Sequence, residues 1–134
     1  MTKYVLRVLA ERAKQATHPL ASLERTKKKK ILLDIARQMD RSSKEIQAAN
    51  QRDLTCARKQ GLSEAMQDLL HLNKKRIKAM SKAVRDVALL PDPIGVVLKK
   101  WRRPNGLQLQ KVSVPLGVIL VIYESRPNVT SECA

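Results

Sequence analysis

The chain has 134 residues, with 27 Lys and Arg against 12 Asp and Glu for a formal charge of +15, and 43% of its residues are hydrophobic. That apolar share suffices for a core and excludes global disorder, while the longest apolar run, Val118 to Tyr123, falls far short of the roughly 20 residues a membrane span needs. Aromatic residues are limited to Tyr4, Trp101 and Tyr123, too few for the stacking platforms of single-strand nucleic-acid binders.

Apolar spacing predicts helices through the first ninety residues. Val5, Leu6, Leu9 and Ala13 form a helical stripe that His18-Pro19 is expected to close. A second stripe, Ile31, Leu32, Ile35, Ala36 and Met39, follows the basic tract Lys27 to Lys30. Ser42 to Glu45 has the capping-box pattern and should open a helix through Ile46, Ala49 and Leu54 to about Lys59. Gly61 suits the position just past that helix, and Ser63 suits the N-cap of a short one holding Met66, Leu69 and Leu70. Asn73 is placed to cap a last long helix with the stripe Ile77, Met80, Val84, Val87 and Ala88, ended by Pro91.

Beyond Pro91 the period changes from 3.6 to 2. Asn105-Gly106 lies between two segments of strand character, which predicts a hairpin with a tight primed turn. The continuous apolar run Val118 to Tyr123 suits a strand buried on both faces of a parallel sheet, followed by the polar loop Glu124 to Asn128 and the first turn of a helix from Val129. The fold class expected is α/β: a helical region over residues 1–90, then, over 91–134, a hairpin and the first strand of a Rossmann-like sheet whose neighbours this chain does not supply.

The charge is even, with 15 basic and 7 acidic residues in 1–67 and 12 and 5 in 68–134, so neither half is a basic arm. Four consecutive lysines span most of a helix circumference and cannot all face one groove, so Lys27 to Lys30 reads first as a solvated turn. A small basic module binding nucleic acid or an acidic partner is the alternative that this tract supports. Cys56 and Cys133, far apart and without metal-ligand spacing, point to a reducing, cytoplasmic setting and to no metal site. Cys56 reads as a small core residue, and Cys133 lies near an expected helix start, where a thiolate is favoured. Charges at Lys3, Arg7, Glu11 and Arg12 interrupt the N-terminus and remove the apolar stretch of a secretory leader.

The strand-loop-helix at the end is the best local site, because ligands of open α/β sheets bind beyond the carboxyl ends of strands. Ser125, Arg126 and Asn128 are there. Arg126 is suited to an anionic group and the Asn128 amide to a developing oxyanion, while a plain polar crossover loop is an equal reading of the same residues. No G-x-G-x-x-G follows the run.

Leu90-Pro-Asp-Pro-Ile-Gly95, Trp101-Arg-Arg-Pro-Asn-Gly-Leu107, Val114-Pro-Leu-Gly-Val118 and, most specifically, Ile122-Tyr-Glu-Ser-Arg-Pro-Asn-Val-Thr130 closely resemble the γ-glutamyl phosphate reductases of the aldehyde dehydrogenase superfamily. The likeness runs in order along nearly the whole chain and reads as the N-terminal portion of such an enzyme. It implies an aldehyde-dehydrogenase-like fold and NADPH-dependent reduction of L-glutamyl 5-phosphate to L-glutamate 5-semialdehyde with phosphate release, in proline biosynthesis. By the same resemblance a cysteine thiolate attacks the acyl phosphate and hydride reduces the thioester, with Asn128 as oxyanion donor and Ser125 and Arg126 lining the substrate or cofactor pocket. The resemblance implies a small-molecule substrate; apart from it, the expected hairpin offers edges to a second copy of the chain, and the composition points to neither membrane nor nucleic acid. The family's nucleophile matches neither Cys56 nor Cys133, so the 134 residues alone are expected to lack reductase activity.

Overall fold

A computed structural model describes residues 3–124 and 126–133. The elements are α1 (Lys3–Ala21), α2 (Arg25–Arg41), α3 (Ser43–Lys59), α4 (Glu64–Leu70), α5 (Lys74–Leu89), β1 (Val97–Arg102), β2 (Gln108–Val112) and α6 (Val129–Glu132). They fall into two compact units, residues 1–25 with 91–120 and residues 26–90 with 121–134. No described helix is long and apolar enough to cross a membrane.

The second unit holds the core. Ala36 of α2, Leu54 and Ala57 of α3, Leu72 of the α4–α5 linker, and Ile77, Val84 and Ala88 of α5 are buried. The α5 residues recur at helical spacing, and each large aliphatic side chain so covered contributes about 1.5–3 kcal/mol. Two polar residues share this interior, Asn50 and Ser81. The Asn50 amide donates to the Leu70 carbonyl at 2.8 Å and its Oδ1 accepts from the Leu72 N–H at 2.7 Å. One side chain on α3 thus satisfies both backbone groups flanking His71, where α4 ends and no helix supplies partners.

Ser81, wholly buried on α5, donates to Asp40 Oδ1 of α2 at 2.6 Å and accepts from Arg85 Nη1 at 3.1 Å. Arg85 Nη2 also pairs with Asp40 Oδ2, so these three side chains tie α2 to α5. The Ser81 hydroxyl, foremost, and then the Arg85 guanidinium hold the Asp40 carboxyl below its ordinary 3.8. At the other end of α5, Arg76 donates to the Asp68 carboxylate at 3.0 and 3.1 Å and to the His71 carbonyl at 2.8 Å. It also bonds the Asp68 carbonyl, closing the C-terminus of α4.

Helix ends follow the expected chemistry in three places. Gly61, at φ +72°, completes a Schellman motif in which Leu62 N–H bonds the Ala57 carbonyl and Gly61 N–H the Arg58 carbonyl. Ser63 accepts from Met66 N–H and Asn73 from Arg76 N–H, each as an N-cap. The fourth expectation fails: Ser42 makes no side-chain cap. Its N–H still closes the last turn of α2 on Gln38 O, which holds it at φ −84° and ψ 10°, outside the extended conformation a capping side chain needs. Helix α1 also runs past His18-Pro19 to Ala21. Proline one turn from a helix end removes a single hydrogen bond, and the chain absorbs that loss there.

In the first unit β1 and β2 pair antiparallel, with Trp101 opposite Leu109 and Lys99 opposite Lys111. The connection is not the two-residue primed turn expected. Gly106 N–H bonds the Arg103 carbonyl, placing Pro104 and Asn105 at the turn's centre, and Arg103 N–H bonds Leu107 O. Every primed turn needs positive φ at its first central residue, which Pro104 cannot adopt; Gly106, at φ +89°, takes the left-handed region after the turn.

The run Val118 to Tyr123 is not a strand here. Its residues are exposed, from 44% at Val121 to 88% at Ile122. A strand is defined by the neighbour that takes its backbone bonds, and among the described residues this run has none. Cys56 is likewise exposed rather than in the core, because the inward position on that turn of α3 belongs to Ala57.

Replacing Asn50 with Ala leaves the buried Leu72 N–H without a partner, so denaturant unfolding should show a loss of about 2–3 kcal/mol. Asp40 stabilises the fold as the carboxylate, since its folded pKa is depressed. Its contribution is therefore complete above the ordinary value and lost as pH falls through the lower folded one. The stability difference between wild type and Asp40→Asn should hold constant near neutrality and shrink progressively below about pH 4 in thermal melts.

Candidate functional site

The loop after the apolar run is closed by its flanks. Tyr123 Oη lies 2.6 Å from Thr130 Oγ1, so the residue before the loop is tied to the helix after it. Asn128 immediately precedes α6, at φ −63° and ψ −30°, and its carbonyl accepts from Ser131 N–H at 3.0 Å, Glu132 N–H at 3.1 Å and Ser131 Oγ at 2.9 Å. Its side chain does not cap the helix. Instead the amide Nδ2 donates to Glu132 Oε1 at 2.8 Å.

Asn128 is half-buried and lines a groove of about 370 Å³ together with Leu69, His71, Arg76, Met80 and Glu132. The groove runs between α6 and the α4–α5 connection that Asn50 and Arg76 fix. Its lining combines apolar side chains with the Asn128 amide, the Arg76 guanidinium, the Glu132 carboxylate and His71.

Of the three residues expected at the site, Asn128 therefore sits in a defined position. Arg126 is exposed, and its guanidinium makes no hydrogen bond or ion pair among the described residues. Ser125 lies outside the described residues. Glu132 and Thr130, which hold the loop, were signalled only by spacing: Asn128 and Glu132 stand four apart, the distance at which helical side chains meet. Cys133 is exposed at the C-cap of α6. The lysines Lys27, Lys29 and Lys30 are exposed around the opening turns of α2, as a solvated tract should be. Among the described residues no group of three His, Cys, Asp or Glu is placed to hold a metal ion.

No protein-family model matches the chain. A γ-glutamyl phosphate reductase from a Nitratiruptor species is 47% identical over 124 residues, which are 92% of this chain and 30% of that protein. One from Carboxydothermus hydrogenoformans is 51% identical over 94% of this chain and 30% of its own length. Among solved structures, the γ-glutamyl phosphate reductase of Thermotoga maritima superposes with a TM-score of 0.88 at 43% identity, covering 92% of this chain and 30% of that one. The enzyme of the same name from Saccharomyces cerevisiae also gives 0.88, at 34% identity over 92% of this chain and 32% of its own. The chain spans about a third of the length of these relatives. In sequence and in fold it corresponds to the N-terminal portion of the γ-glutamyl phosphate reductases.

Proposed function

We propose that these residues serve, as part of a whole enzyme, in the NADPH-dependent reduction of L-glutamyl 5-phosphate to L-glutamate 5-semialdehyde with release of phosphate, a step of proline biosynthesis. The observation that carries this reading is the match to named reductases at 51% identity over 94% of the chain. Attack of a thiolate on the acyl phosphate places negative charge on the carbonyl oxygen, and in this reading Asn128 donates to that oxygen. Arg126, exposed and without a counter-charge among the described residues, meets an anionic group of the substrate or cofactor, and Ser125 lines the same pocket. The division into a helical region over 1–90 and, over 91–134, a hairpin plus the start of an NADP-binding α/β domain belongs to the same proposal.

NADPH supplies the hydride when bound. The described residues do not compose a cradle for it, since the loop from Glu124 to Asn128 contains no glycine. No step is therefore assigned to them through the cofactor. The exposed, unpaired thiols of Cys56 and Cys133 support the cytoplasmic setting, and a hairpin exposed on both faces supports assembly with a second copy. The basic tract does not favour a nucleic-acid role, because its side chains fan around a helix.

Joining these 134 residues to the remaining two thirds of the Thermotoga maritima relative should give a soluble enzyme that consumes NADPH when given γ-glutamyl phosphate and restores growth of a proline auxotroph. A folded, inactive chimera would count against the reading. In the active chimera Asn128→Ala should lower kcat by about 10²–10³-fold with KM little changed.

A further inference from the structure

A carboxamide is a poor oxyanion donor unless something fixes its plane and its sense. The last torsion of an Asn side chain is broad and nearly two-fold, so Nδ2 and Oδ1 exchange places at little cost. An Asn128 turned the wrong way would aim a carbonyl oxygen at the charge it is meant to stabilise. The main chain cannot prevent this, because its bonds to Ser131 and Glu132 hold the Asn128 carbonyl and leave the side-chain torsion free.

Glu132 supplies the missing constraint. An ionised carboxylate only accepts hydrogen bonds. The 2.8 Å contact from Asn128 Nδ2 to Glu132 Oε1 is therefore available to one sense of the amide, with nitrogen toward Glu132. Nδ2 carries two hydrogens, and its only bond among the described residues uses one. The second projects from the other side of the nitrogen, away from the carboxylate. Glu132 is itself anchored one turn along by its N–H on the Asn128 carbonyl at 3.1 Å, so the two residues lock each other.

We propose that Glu132 is a positioning residue that sets the flip state and plane of the Asn128 amide, leaving one N–H ready for the oxyanion. It touches no reacting atom and acts through Asn128. The proposal rests on the reading of Asn128 as oxyanion donor, and the experiment separates the two.

Four enzymes are compared in the full-length chimera: Asn128→Ala, Glu132→Met, Glu132→Gln and the Asn128→Ala/Glu132→Met double variant. Rates are normalised to the titrated nucleophilic thiol, so that lost folding is not read as lost rate. Glu132→Met, of similar length but without the acceptor, should lower kcat by roughly 10- to 100-fold with KM nearly unchanged, because the oxyanion exists only beyond the ground state. Glu132→Gln should fall between Met and wild type, since Gln accepts from Nδ2 on Oε1 but can also donate to Oδ1 and admit the wrong flip. The double variant should be no slower than Asn128→Ala alone. A harmless Asn128→Ala would refute the oxyanion reading. A damaging Asn128→Ala beside a silent Glu132→Met would overturn the positioning proposal, as would equal losses in Met and Gln or additive losses in the double variant.

Discussion

The second unit depends on one buried amide. Helix α4 is seven residues long and ends without a helical successor for its last carbonyls, and the three residues before α5 are half-buried with Leu72 in the core. Such a connection is unstable unless its backbone groups find partners away from water. Asn50 donates to one of them and accepts from the other, a match that an apolar residue cannot make and an aspartate can make only in half. With Leu70 and Leu72 so fixed, Ile77 enters the core at the first turn of α5, and Arg76 is aimed back at the end of α4. The wall of the groove that receives Asn128 is built on that arrangement.

Local chemistry was legible in the sequence wherever a residue answers to its own helix. The stripes of α2, α3 and α5, the Gly61 stop and the Ser63 and Asn73 caps need only a few consecutive residues to be read. Ser42 misled because a cap depends on the conformation of the residue before the helix, and that was already taken up by the end of α2. The primed turn misled because Asn105-Gly106 is a strong signal on its own, while Pro104 moves the turn back by one residue. Asn50 carries no sequence mark at all: its partners lie 20 and 22 residues away. The same holds at the site. The loop, Asn128 and the helical turn from Val129 could be picked out as a polar stretch and a helix start after an apolar run, whereas the bond between Asn128 and Glu132 was marked only by their spacing of four.

The two units also show different routes to order. In residues 26–90 and 121–134, buried apolar contacts are backed by polar links between helices, Asp40 with Ser81 and Arg85, Asn50 with the linker. The strands of the hairpin in the other unit hold no buried residue, and the side-chain bonds that brace it are local: Ser113 with Val96 and Pro93, Arg102 with the Gly106 carbonyl, and Asn105 with the Leu107 N–H. One of its cross-strand pairs sets like charges together, Lys99 opposite Lys111, eased on one side by the Lys99 ammonium 5.8 Å from the Trp101 ring centre.

The exposed run Val118 to Tyr123 has a consequence for how this polypeptide behaves in a crowd. Six residues rich in β-branched side chains, with no charge and no proline, make a segment suited to stacking against identical segments in a dry, interlocked sheet. Gly117 and Pro115 shorten it on one side, and Glu124 and Arg126 flank it on the other as charged gatekeepers. The +15 of the whole chain acts in the same direction at longer range, since molecules of like charge repel before their apolar segments can meet. Colloidal repulsion is thus a use for the basic excess that calls for no polyanionic partner.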